Sequence, residues 1–106
     1  VIVLDDEIAT AGSLVELFDH LREIGECSIS AACVHGLFTG PAIDRLKAQP
    51  DLREIVTTNT VPVPDAKRLP NLSVLSVAPL FAEAMRRINN GESISSLFSD
   101  EVTHGA

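Results

Sequence analysis

The chain has 106 residues, 45% of them apolar, enough for one domain with a core of its own. Fifteen acidic residues against eight basic ones give a formal charge of −7. That balance argues against a nucleic-acid or anionic-membrane surface, and no apolar run approaches membrane-spanning length.

The chain opens with VIVLDDEIATAGSLV. Four β-favouring apolar residues lead into two carboxylates, a loop of small residues and the start of an amphipathic helix. This predicts a strand ending near Asp5, a polar turn, and a helix with Ser13 as N-cap and Gly25 as C-terminal stop. The first N–H groups of a helix lack intrahelical partners and lie at the positive end of its dipole, so Thr10, Ala11, Gly12 and Ser13 can receive a phosphate. Asp5 and Asp6 would repel that phosphate. Their oxygens suit sugar hydroxyls, or a Mg²⁺ carried by the ligand. A phosphorylated sugar satisfies both halves of the stretch. Glu7 and His20 read as solvated.

Leu14, Leu17, Phe18, Leu21 and Ile24 recur at helical spacing. Residues 28–34 (SISAACV) read as a strand buried on both faces, ending before His35-Gly36. Pro41 suits the first turn of a short helix over residues 41–48. Residues 53–58 form another strand, with Asn59-Thr60 beyond it, and VPVPDAKRLPN is a loop because its prolines exclude regular structure. Residues 72–77 give a further strand. The next helix carries Leu80, Phe81, Ala84, Met85 and Ile88 inward, and ends near Asn89-Asn90-Gly91. The order β-α-β-α-β-β-α predicts an α/β fold with a doubly wound, mostly parallel sheet, with Asp5, His35 and Asn59 just past strand ends. Residues 99–106 read as a fraying tail. The absence of Met at position 1 and the opening inside a strand suggest a piece of a longer protein. Its sheet would then be incomplete, with an unpaired apolar edge or face. Cys27 and Cys33 show neither zinc nor redox spacing, and the expectation is reduced thiols in a soluble, cytoplasmic protein.

The opening stretch resembles the ribose-phosphate loop of the type I phosphoribosyltransferase fold. With VHGLFTGPAIDRL, VTTNTVPVP and LSVLSVAPLFAEAMRRINNGESISSLF, the chain from residue 1 to 98 resembles the C-terminal portion of the ribose-phosphate pyrophosphokinase family. The resemblance implies that Asp5 and Asp6 approach the ribose hydroxyls and that Ala9, Thr10, Ala11, Gly12 and Ser13 form the 5-phosphate loop. The family often has Asp at position 9 and commonly Gly at position 11. A Cβ at Ala11 penalises positive φ and crowds a backbone meant to touch phosphate, and the loop works on this reading if Ala11 has negative φ. Ser93, Ser95 and Phe98 match a segment that in some members helps form an intersubunit site for regulatory phosphate or ADP; a plain turn pinned by Leu97 and Phe98 is the equal alternative. His35 is expected to shape a loop rather than react.

The family's reaction joins ATP and ribose 5-phosphate, with Mg²⁺, into phosphoribosyl diphosphate and AMP. Few clustered cations are present here. The ATP half of the site is therefore expected elsewhere in a full-length homo-oligomer, and the chain alone is expected to be inactive. A non-catalytic synthetase-associated partner and a phosphoribosyltransferase that consumes the diphosphate are the alternatives.

Overall fold

A computed structural model describes residues 1–26 and 28–98 of the chain. The elements are β1 (Ile2–Ile8), α1 (Gly12–Glu23), β2 (Ile29–Gly36), α2 (Ala42–Lys47), β3 (Leu52–Thr58), β4 (Leu72–Leu75) and α3 (Ala78–Asn89), with short 3₁₀ turns at Asp65–Lys67 and Ser95–Phe98. This is the element order that the apolar periodicities predict. The chain divides into two compact units, Val1–Leu75 and Ser76–Ala106. Cys27 and the tail from 99 to 106 lie outside the described residues.

In the first unit the strands run in the order β1-β2-β3-β4 and every pairing is parallel. The protein is an α/β fold, and the strand-order reversal of a doubly wound sheet does not fall within these four strands. Alternate strand residues Ile29, Ala31, Cys33 and Ile55 meet Leu14 and Phe18 of α1 and Ala42 and Leu46 of α2 in one core. Phe18 is wholly buried, and burying such a ring contributes about 1.5–3 kcal/mol. The half-buried Arg22 of α1 reaches Asp51 at 2.5 Å and also hydrogen-bonds Gln49, tying α1 to the turn before β3.

Four expectations are overturned in this unit. The first strand does not end at Asp5. It runs to Ile8 because β2 pairs along its whole length, with Asp5 opposite Cys33 and Glu7 opposite His35. The side chains of Asp5, Asp6 and Glu7 remain exposed, so extending the strand through them buries no carboxylate. His35 likewise lies inside β2, whereas Asn59 does follow β3. Ser13 is not the N-cap: α1 begins at Gly12, Ala11 caps it, and no side chain supplies a cap bond. Nor is β2 buried on both faces. Ile29, Ala31 and Cys33 are buried while Val34 is exposed, as are Ile2 and Leu4 of β1 and Leu75 of β4. The expected uncovered apolar face is therefore present in this unit.

Gly25 ends α1 as expected. It stands at φ 96°, and the N–H groups of Gly25 and Glu26 return to the carbonyls of Arg22 and Leu21.

In the second unit, α3 closes with the same pair of bonds at Gly91 and Glu92. Leu80, Phe81, Met85 and Ile88 are exposed rather than inward, and Ala84 is half-buried. Helical spacing defines an apolar stripe, but burial needs a surface to receive it. The acidic Glu83 joins Arg86 at 2.7 Å and Arg87 at 2.8 Å, and Arg86 also meets Glu92 at 3.1 Å.

Candidate functional site

Between the end of β1 and the start of α1 lies a cleft of about 360 Å³, lined by residues 5–11 together with Ser13 and Leu14. Asp5, Asp6 and Glu7 give it three exposed carboxylates. The Asp6 N–H donates to Asp5 Oδ1 at 2.8 Å. Hydrogen bonding from the Asp6 carboxyl, and then from that N–H, holds the Asp5 carboxyl below its usual range. Asp5 is thus an acceptor in its charged form near neutral pH.

The loop owes its shape to Ala11, which adopts φ 66°, ψ 13°. Ala11 is therefore not at the negative φ that would spare its Cβ. A Cβ in this region costs about 1–2 kcal/mol, and the fold holds Ala11 there by engaging every carbonyl of the loop. Ile8 O accepts the N–H groups of Leu37 and Phe38 at 3.0 and 3.1 Å, and Ala9 O accepts that of Thr39 at 2.9 Å. Thr10 O accepts Arg45 Nη1 at 3.0 Å. Ala11 O accepts the N–H of Val15 at 3.0 Å, the first helical bond of α1. With the carbonyls turned to protein donors, the N–H groups from Thr10 to Leu14 and the hydroxyls of Thr10 and Ser13 donate to no acceptor among the described residues. A helix N-terminus with a row of uncommitted donors is suited to a phosphate.

Of the expected phosphate-loop residues, Ala9, Thr10, Ala11 and Ser13 line the cleft. Gly12 does not. A Cβ built on it would stand 3.2 Å from Arg45 Nη1, so the Arg45 guanidinium lies against this part of the loop.

His35 is half-buried and does not line the cleft. Its Nδ1 sits 2.8 Å from Thr60 Oγ1, and its backbone bridges to Asn59, which ties β2 to the segment after β3. Burial of Cys33 pushes its thiol up, and its Sγ donates to the fully buried Thr57 Oγ1 at 3.3 Å. That thiol belongs to the core.

In the second unit, Ser93 Oγ and Ser95 Oγ are 2.8 Å apart, and Ser93 Oγ accepts the Ser95 N–H at 3.2 Å. Arg87 donates to Ser93 O at 3.5 Å and to the Ser96 hydroxyl. Leu97 is buried, whereas Phe98 is exposed, so of the two apolar residues only Leu97 contributes burial to this turn.

Sequence reasoning found the loop and its acids but missed the parts that hold them: the N–H groups of Leu37, Phe38 and Thr39, and Arg45. The closeness of GLFTGPAIDR to the loop in space leaves no local signal. Phe38, buried at φ 50°, is a second left-handed residue that its side chain does not advertise.

Among the described residues no group of three His, Cys, Asp or Glu could hold a metal ion. Asp5 and Asp6 do fit a Mg²⁺ that keeps its waters and phosphate ligands, since such an ion commonly takes only one or two protein carboxylates. No helix among the described residues is long and apolar enough to cross a membrane.

Residues 1–99 match the phosphoribosyl synthetase-associated domain family. The chain belongs to that family. This synthetase-associated domain is 58% identical over 98 residues to a Streptomyces coelicolor protein, and 47% identical over 100 residues to the ribose-phosphate pyrophosphokinase of Clostridium acetobutylicum. The two alignments cover 92% and 94% of the chain. The chain spans about 31% of the length of either relative. Its fold is also similar to that of the phosphoribosylpyrophosphate synthetase of Mycobacterium smegmatis, with a TM-score of 0.81 and 39% identity over 85% of this chain and 30% of that one.

Proposed function

We propose that this domain is the sugar-phosphate half of a ribose-phosphate pyrophosphokinase, corresponding to a C-terminal portion of that enzyme. The observation that carries the reading is a single cleft lined both by Asp5 and Asp6 and by Thr10, Ala11 and Ser13, whose N–H groups are uncommitted. The N–H groups of Ala11, Gly12 and Ser13, with the hydroxyls of Thr10 and Ser13, take the 5-phosphate of ribose 5-phosphate. Asp5 and Asp6 accept hydrogen bonds from the ribose hydroxyls. Anchoring the sugar at both ends fixes its anomeric hydroxyl, and such positioning is the main protein contribution to phosphoryl-type transfer.

In the whole enzyme that hydroxyl attacks the β-phosphorus of ATP. The bond from the sugar oxygen to the β-phosphorus forms, the bond from the β-phosphorus to the oxygen bridging it to the α-phosphorus breaks, AMP leaves, and the hydroxyl proton is released. Mg²⁺ supplies charge neutralisation on the phosphates when bound. The ATP site and most cations belong to the part of the synthetase that this chain does not span, in the same or a neighbouring subunit of a homo-oligomer. The isolated chain is inactive on this reading.

The second reading is a non-catalytic synthetase-associated partner. Ala9 and Ala11, which stand in the loop where the family often has Asp and commonly Gly, permit it. Calorimetric titration separates the two. On the first reading ribose 5-phosphate binds saturably, unphosphorylated ribose binds far more weakly, and Asp5→Asn/Asp6→Asn weakens both. A well-folded chain that takes up no ribose 5-phosphate supports the silent partner.

A further inference from the structure

The cleft presents three carboxylates and no cation in its lining, although the ligand proposed for it carries a dianionic phosphate. One charged side chain nonetheless bonds to the loop from behind. Arg45 projects from α2 and gives its Nη1 proton to the Thr10 carbonyl at 3.0 Å. Its guanidinium approaches Gly12 so closely that a Cβ there would lie 3.2 Å from Nη1 and 4.0 Å from Cζ. Arg45 Nε and Nη2 donate to no acceptor among the described residues.

Resting on the sugar-phosphate reading, we infer that Arg45 is the positioning residue of the phosphate loop: it holds the Thr10 carbonyl out of the cleft and sets a positive charge behind Gly12.

Both effects act in one direction. A Thr10 carbonyl free to rotate would put an oxygen dipole into a space meant for phosphate oxygens, and peptide rotation at that bond would also carry the Ala11 N–H out of the cleft. The hydrogen bond from a charged donor is stronger than a neutral one and opposes that rotation. The fixed charge offsets the repulsion that Asp5, Asp6 and Glu7 exert on an arriving anion. Gly12 has no Cβ to obstruct the approach of the guanidinium, which gives that glycine a reason independent of its own φ. Arg45 touches no sugar atom on this account, so it acts through the loop and is not catalytic.

Arg45 is exposed on a short surface helix, and its replacement leaves the core intact. The test uses the full chain as wild type, Arg45→Lys and Arg45→Met. Each is followed by NMR at the Thr10 carbonyl carbon and the Ala11, Gly12 and Ser13 amides, first alone and then with ribose 5-phosphate or ribose. The expected result is a moved Thr10 carbonyl resonance and faster amide exchange at Ala11 in the methionine variant without ligand, about tenfold weaker binding of ribose 5-phosphate, and unchanged ribose binding. Lysine, which keeps charge and one bond, recovers part of the loss. An unmoved Thr10 resonance with wild-type affinity in Arg45→Met overturns the inference. A wild type that binds no ribose 5-phosphate, with a Thr10 resonance that still moves in Arg45→Met, overturns the sugar-phosphate reading and leaves the clamp standing.

Discussion

The carbonyl of Ala11 accepts the N–H of Val15 at 3.0 Å while Ala11 itself stands at φ 66°, so α1 takes its first hydrogen bond from a left-handed residue. The conformation expected of glycine is thus kept by alanine. Ala11→Gly relieves about 1–2 kcal/mol of strain and forfeits about 0.8 kcal/mol of buried methyl. It should therefore change stability by less than about 1 kcal/mol and leave the loop unchanged. Ala11→Val puts a β-branched side chain at positive φ in a buried position and should cost about 2 kcal/mol or more. Urea unfolding of both variants checks the contrast, and equal stabilities would contradict it.

Arg22 gathers Asp51, Asp19 and Gln49 about one half-buried guanidinium. Because these bonds cross from α1 to the turn before β3, Arg22→Met should destabilise the first unit by about 1–2 kcal/mol. Phe18→Ala, which empties the centre of the core, should cost about 3–5 kcal/mol. Denaturant midpoints rank the two.

The second unit should respond to acid through Glu83. Hydrogen bonds from Arg86 and then Arg87 bring its carboxyl from an ordinary 4.5 down to about 2. A folded value below the unfolded one means that ionised Glu83 contributes stability in full above about 4.5, and that this contribution is lost as pH falls through about 2. The Glu83 side-chain carboxyl carbon should titrate near the lower figure by NMR. In Glu83→Gln, the helicity of α3 should lose the part of its acid dependence that falls in this window. A Glu83 midpoint near 4.5 would show that the arginine contacts do not persist in solution.

Ile2, Leu4 and Val34 sit at alternate positions of neighbouring strands and are exposed. Such a face drives association. Sedimentation should show concentration-dependent association of the wild type, and Leu4→Lys with Val34→Lys should reduce it while the circular dichroism stays the same. A wild type that is monomeric at every accessible concentration would contradict this.

The element order was legible because β-branched runs, helical spacing and proline clusters are local signals, and Gly25 marked the end of α1 by the same kind of signal. The small residues and paired acids at 5–13 pointed to the cleft for the same reason. What could not be read was set at long range. β1 continues through Asp5, Asp6 and Glu7 because β2 pairs with it, and no propensity of acidic residues announces that. Ala11 is left-handed because Leu37, Phe38, Thr39 and Arg45, some thirty residues further along, fix the carbonyls around it. The stripe on α3 was visible, but which surface receives it is not encoded in its spacing.

The most direct test of the central claim follows the amides of Ala11, Gly12 and Ser13 by NMR as ribose 5-phosphate and Mg²⁺ are added, with Asp5→Asn/Asp6→Asn as the control. A sugar-phosphate half-site predicts saturable shifts confined to residues 5–14 and weakened in the control. Unmoved loop amides in a folded, well-dispersed sample would contradict it.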